Sequence, residues 1–201
     1  MDIKIEECFG VCPVGQDTRK LAQIGSFYQK RRALDMGTGT GYCAIFLAQR
    51  GLNVDATDID KQALDCAKKN ANLNKVKINM FFSNLFRNIS DKYDLILFNP
   101  PANANENIAQ RRFKSFLKNY LLKNSFLKSL ASQVFFYLSG KKRVEFLNDF
   151  IENAYNYLNP EGILLMHLSI KDIPCLKKNF FSIKQIEKIH SHTAIFEIKF
   201  L

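Results

Sequence analysis

Two stretches of the chain carry residue types that can do chemistry. The first is Asn99-Pro100-Pro101. An amino group conjugated to a carbonyl or a ring is a poor nucleophile, because its lone pair is delocalised. Two acceptors that grip its hydrogens can turn that pair outward. The side-chain oxygen of Asn99 and the carbonyl of Pro100 form such a pair, and the two prolines fix φ and remove N–H donors, leaving a stiff, acceptor-rich loop. The second stretch is Asp35-Met36-Gly37-Thr38-Gly39-Thr40-Gly41. Glycines spaced in this way let the backbone approach a ligand closely. The spacing is G-x-G-x-G rather than G-x-G-x-x-G, and no Lys-Ser/Thr follows the last glycine, so a P-loop is excluded. Asp35, placed before the glycines, suits a ligand with positive charge better than a pyrophosphate. Asp58 ends the next apolar run, Val54 to Asp58, and can accept hydrogen bonds from ribose hydroxyls.

Elements must place these groups at one edge of a fold. Ala33 to Met36 reads as a short apolar strand, the glycines as a turn, and Cys43 to Arg50 as a helix. Asp60 to Asn72 is amphipathic, with Ala63, Leu64, Ala67 and Ala71 on one stripe. Lys77 to Phe82 and Tyr93 to Phe98 are strands, and the second is almost wholly apolar, as a central parallel strand covered on both faces must be. Val144 to Leu158 has helical core spacing, Asn159-Pro160-Glu161-Gly162 is expected to end it in a turn, and Ile163 to Leu168 is a fifth strand. Ile183 to Ile189 and Ala194 to Phe200 alternate as an antiparallel pair turning near Ser191. Strands alternating with helices predict an α/β, doubly wound, Rossmann-like sheet, whose ligands bind at the carboxyl ends of the strands. Asn99-Pro100-Pro101 and both acids fall at such ends. Before the first strand, Gln16 to Ile24 begins a helix for which Asp17 or Thr18 is the expected cap.

With these residues in view, the glycine stretch resembles motif I of the class I S-adenosylmethionine-dependent methyltransferases. Asn99-Pro100-Pro101 resembles motif IV of the N-methyltransferases among them. Motif order looks most like the HemK-type branch, whose members methylate release-factor glutamine; the resemblance runs over residues 11–101 and more loosely over 138–170. It implies a seven-stranded, mostly parallel sheet with a C-terminal antiparallel pair, S-adenosylmethionine as cofactor, and N-methylation as the reaction. It also implies roles. Asp35, Gly37, Thr38, Gly39 and Gly41 would hold the methionine end, Asp58 and Ile59 the ribose, and Asn84 with Leu85 the adenine. Asn99, Pro100 and Pro101 would orient the acceptor nitrogen, Asn99 also lying against the cofactor. Asp17 and Thr18 stand in a P-x-x-D-T-like segment that in the HemK-type branch closes over the cofactor, which is the alternative to a plain cap. The motif's usual fourth-position aromatic is Ala102 here. Either another ring substitutes for it, Phe113 being a candidate, or the acceptor is a lysine or small-molecule amine rather than a planar amide or base; an RNA or DNA base amino group is the alternative to a protein glutamine. A non-catalytic binding module on the same fold is the rival from another class.

The 201 residues suit a single domain spanning 1–201, with a basic helical insert at about 103–140. Net charge is +10, and residues 101–143 hold nine Lys or Arg against one acid, Glu106. Arg111, Arg112, Lys114 and Lys118 are therefore expected to attract an anionic partner, either nucleic acid or an acidic protein surface. The five cysteines are scattered without a C-x-x-C pair, which points to a reduced, cytoplasmic setting. His167, His190 and His192 read as ordinary surface histidines rather than metal ligands, and no general base is evident. No apolar run approaches the roughly 20 residues of a membrane span, and the N-terminus shows no signal-peptide pattern. The oligomeric state is not legible.

Overall fold

The computed structural model describes residues 2–28, 31–100 and 143–201. In chain order these form α1 (Gln16–Phe27), β1 (Arg32–Met36), α2 (Tyr42–Ala48), β2 (Asn53–Asp58), α3 (Lys61–Leu73), β3 (Asn79–Phe82) and β4 (Tyr93–Phe98). Helical residues 143–155, here α4, precede β5 (Leu158–Ser169), β6 (Phe181–His190) and β7 (Thr193–Phe200). The strands make one seven-stranded sheet in the order β3-β2-β1-β4-β5-β7-β6. β1 to β5 run parallel, and β7 pairs antiparallel with both β5 and β6. The doubly wound expectation and the C-terminal strand pair hold, and the chain reverses direction across the sheet between β1 and β4.

Side-chain alternation explains why the chemistry gathers on one face of one edge. Ala33, Val54, Ala56, Leu95, Leu97, Ile163 and Leu165 pack beneath α1 and α2. Leu34, Ile96, Phe98, Leu164 and Met166 face the opposite way, against Leu147, Phe150, Ile151 and Ala154 of α4. Continuing the first row with a period of two gives Asp35 on β1, Asp58 on β2, Asn99 just past β4 and His167 on β5. All four stand on the α1/α2 side at the carboxyl end of the sheet.

Four local expectations are corrected. Neither Asp17 nor Thr18 caps α1: Gly15 occupies the N-cap position, no side chain caps it, and both residues lie within the first turn. Residues 159–162 do not end a helix. They form a bulge inside β5, where β4 moves from Tyr93 to Leu95 while β5 moves from Leu158 to Ile163. Two bonds keep the early part of β5 on β4, Tyr93 N–H to the Tyr157 carbonyl (2.8 Å) and Asn159 Nδ2 to Asp94 Oδ1 (2.7 Å), and Glu161 takes up a φ of 59°. Cys8 and Cys66 form a disulfide with Cα atoms 6.0 Å apart, contrary to the wholly reduced reading. The lead-in lies along α3 and brings together residues 58 apart, a pairing that spacing could not reveal. And His167 is not a surface residue, as the site shows.

The described chain returns to the sheet at Arg143, whose Nε donates to Asp172 Oδ2 at 2.9 Å; both side chains are buried. Among the described residues no helix is long and apolar enough to cross a membrane.

Candidate functional site

The glycine turn is knitted to the ends of β1 and β2. Thr38 N–H donates to the Thr57 carbonyl (2.9 Å), and Gly39 N–H donates to Asp58 Oδ2 (3.0 Å). Asp58 Oδ1 accepts from Asp60 N–H (2.9 Å), and Asp60 in turn caps α3 by accepting from Gln62 N–H. Asp35 is buried. Its Oδ2 accepts from the Thr38 hydroxyl (2.6 Å) and from Ala44 N–H (3.1 Å) in the first turn of α2. The acid before the glycines is thus an internal brace for the turn, and its second oxygen has no hydrogen-bond partner among the described residues. Burial, reinforced by the charge of Asp58, pushes its carboxyl up to about 7 against those two donors.

Two glycines of the turn serve different ends, although both have positive φ. At Gly41 (φ 85°) an added Cβ would stand 3.0 Å from the Ala67 Cβ and 3.1 Å from its Cα. Gly41 therefore lets α3 pack against the turn. At Gly39 (φ 57°) nothing lies within 4 Å of such a Cβ, so its missing side chain opens space on the outer side of the cradle. Asn70, buried on α3, fastens the other margin: its Nδ2 donates to the Thr40 carbonyl (2.9 Å) and the Glu6 carbonyl (3.2 Å), and its Oδ1 accepts from Glu6 N–H (2.9 Å). Ile59 follows Asp58 at this rim. Asn84 and Leu85 sit in the turn after β3, where the Ser83 hydroxyl donates to the Leu85 carbonyl and Leu85 takes a φ of 51°.

Across the rim, the partners of Asn99 among the described residues are side chains. Its Nδ2 donates to Asp17 Oδ2 (2.7 Å) and to Thr18 Oγ1 (3.2 Å), and its Oδ1 lies 3.0 Å from His167 Nδ1. His167 Nδ1 is also 3.5 Å from Asp17 Oδ2. A carboxylate only accepts, so the amino end of Asn99 must face Asp17, and its oxygen must face His167. Both hydrogens of the amide are committed, and the oxygen keeps capacity for one further donor. The function that displaces Asp17 and Thr18 from capping is this clamp on Asn99. Burial lowers the His167 pKa, while Asp17 opposes that shift.

The structure thus brings Asp35, Gly37, Thr38, Gly39, Gly41, Asp58 and Ile59 together on one side, and Asn99, Pro100, Asp17 and Thr18 on the other. Pro101, Ala102, Phe113 and the cations Arg111, Arg112, Lys114 and Lys118 lie outside the described residues. His167 was missed in the sequence. The available signal was its place two residues after Leu165, beside a strand whose own row reads Leu95, Leu97, Asn99. Among the described residues no group of three or more His, Cys, Asp or Glu side chains is placed to hold a metal ion.

Comparison with known proteins identifies the family and the fold. The family model for the methyltransferase small domain matches residues 9–124. Release factor glutamine methyltransferase of Lactococcus lactis is 30% identical over 142 residues, 70% of this chain and 48% of that protein. Ribosomal protein L11 methyltransferase of Campylobacter concisus is 33% identical over 127 residues, 62% of this chain and 41% of that protein. The chain spans between 41 and 60% of the length of the first curated relatives it matches. A crystal structure of ribosomal protein L11 methylase from Lactobacillus delbrueckii superposes with a TM-score of 0.66 at 22% identity, covering 95% of this chain and 82% of the other.

Proposed function

The chain belongs to the methyltransferase small domain family, and we propose that it transfers a methyl group from S-adenosylmethionine to a nitrogen, with a glutamine-type protein side chain as the acceptor. The cofactor, when bound, supplies an electrophilic methyl on a sulfonium. Residues of the cradle fit it: open space at Gly39 admits the ligand, the uncommitted oxygen of Asp35 suits its positive end, and Asp58 with Ile59 stands where a ribose would lie. Asn84 and Leu85 are assigned to the adenine. On the acceptor side, Asn99 Oδ1 and the Pro100 carbonyl hold the amide hydrogens, so that the nitrogen lone pair points at the methyl. The observation that carries this reading is the three-way clamp on Asn99. An amide held on both ends needs no reorganisation when the acceptor arrives, which is how positioning accelerates a displacement.

A nucleic-acid base amino group is the second reading. The net charge of +10 favours it, and Arg111, Arg112, Lys114 and Lys118 are the proposed contacts to phosphates or to an acidic protein surface. Either acceptor is met in the cytoplasm, where the Cys8–Cys66 bond would be open to reduction.

Transfer of labelled methyl into host extract, separated into protein, nucleic acid and small molecules, tests the reading. Label in the protein fraction that falls at least about 100-fold with Asn99→Ala supports it. Label in RNA or DNA moves the assignment to the second reading, and absence of transfer by a chain that binds the cofactor removes both.

A further inference from the structure

We propose that the Cys8–Cys66 pair is a redox latch on the cofactor site, closed by a peroxide-class oxidant and opened by a thiol reductant. The inference rests on the cofactor reading of the glycine turn and adds to it a control that no motif marks.

The latch holds a strap. The lead-in before α1 lies along α3 and is fastened to it at three heights. The Asn74 side chain accepts from Lys4 N–H (3.0 Å) and donates to the Lys4 carbonyl (2.7 Å). One turn earlier, Asn70 does the same for Glu6, accepting at 2.9 Å and donating at 3.2 Å. Another turn earlier, Cys66 takes the disulfide from Cys8. Val11 donates its N–H to the Cys8 carbonyl (3.1 Å) and packs with Cys66 and Ala63.

These fastenings have second ends in the site. Asn70 also donates to the Thr40 carbonyl (2.9 Å) inside the glycine turn, so one buried amide serves strap and cradle together. Ala67, next to Cys66, is the residue against which Gly41 closes. Nine residues beyond Cys8 the same strap reaches Asp17, which with Thr18 grips Asn99. A strap that lifts from α3 therefore frees the Glu6 side of Asn70 and slackens both margins of the site. A closed bond forbids that lifting. With the bond open, the strap is held by hydrogen bonds, the exposed Glu6–Lys69 ion pair and a few apolar contacts, and its detached states become populated.

Both redox states are provided for. Cys66 is buried, whereas Cys8 is partly exposed and meets a reagent from solvent first. A peroxide oxidises the Cys8 thiol to a sulfenic acid, its O–O bond breaking and one water leaving. The Cys66 thiol then attacks that sulfur, the S–O bond breaks, and the oxygen departs with the thiol proton as a second water. In the opposite direction a dithiol exchanges with the bond, becomes a disulfide itself, and returns a proton to each cysteine. The Glu6 carbonyl lies 3.8 Å from each sulfur, an acceptor for the thiols of the open state.

The test compares the chain oxidised with hydrogen peroxide and the chain reduced with dithiothreitol, each titrated with S-adenosylhomocysteine by calorimetry. If the open strap is docked about a tenth of the time, the reduced form binds about tenfold more weakly. Cys8→Ser should bind at the reduced value under either condition, and Cys12→Ser should keep the difference. A second readout needs no ligand: reduction should speed amide hydrogen exchange at Glu6 and Val11 in the strap and at Gly41 in the turn. Equal affinity in the two forms overturns the proposal, and so does alkylation of both Cys8 and Cys66 after peroxide treatment. If neither form binds S-adenosylhomocysteine, the cofactor reading fails instead, and exchange at those three amides then judges the latch.

Discussion

The glycine turn and the Asn99 clamp stand on the same rim of one sheet but are held by different means. On the glycine side, Thr38, Gly39, Ala44 and Asp60 present backbone N–H groups to Thr57, Asp58 and Asp35. Most of these partners are within about 20 residues of one another. On the asparagine side every bond among the described residues joins side chains, and Asn99 meets partners 82, 81 and 68 residues away. Backbone bonds fix a shape for any side chain that fits. Side-chain bonds fix one chemical group and fail when that group changes. The cofactor half is therefore expected to tolerate substitution unless the cradle is filled or wedged, and the acceptor half to answer to single atoms.

Three measurements break or sharpen this contrast. The largest expected effect is in the pH dependence of stability. The folded chain keeps a proton on Asp35 that the unfolded chain releases, because burial raises the carboxyl from 3.8 to about 7. The stability this group contributes is full below pH 3.8 and falls as pH rises to about 7, by on the order of 4 kcal/mol. Urea midpoints of Asp35→Asn should lack that part of the slope, and an identical slope in the variant would show that Asp35 is ionised throughout. Next come the two glycines. Gly41→Ala should cost about 3 kcal/mol, from left-handed strain and the collision with Ala67. Gly39→Ala should cost only about 1 kcal/mol in stability, yet weaken S-adenosylhomocysteine binding about tenfold or more by occupying the cradle. Equal stability costs at both positions would end the distinction between a packing glycine and a ligand-facing one. The smallest effect is expected of Asp17→Asn. It loosens the amino end of Asn99, so transfer should slow about tenfold with cofactor affinity nearly unchanged. Weaker cofactor binding at an unchanged maximal rate would return Asp17 to the cofactor side, where the resemblance had put it.

The same contrast explains what could be read in the sequence. Strand β4, the glycine turn and the β6–β7 pair depend on local periodicity and on residues close in the chain, so their types and places were legible. The sheet edge bearing the chemistry was legible too, because Asp35, Asp58 and Asn99 each end an apolar run. The roles of Asp17 and Thr18 were not, since a Ser, Thr or Asp at a helix start looks like a cap whether or not a distant amide claims it. His167 was lost for a related reason. Nothing beside it in sequence marks it, and its meaning comes from the parallel register that sets Phe98 against Met166. The Cys8–Cys66 pair and the bulge at residues 159–162 also depend on contacts that spacing does not encode.

Arg143 gives the fold one more property. The described chain leaves the sheet at Pro100, next to Asn99, and is fastened again where Arg143 meets Asp172. Between two fixed ends, the entropy of closing a connection grows only with the logarithm of its length, about 0.6 kcal/mol for each doubling. Segments of quite different length and charge can thus be spliced between those anchors at little thermodynamic cost. The arrangement lets such a connection change over generations while the glycine turn stays as it is.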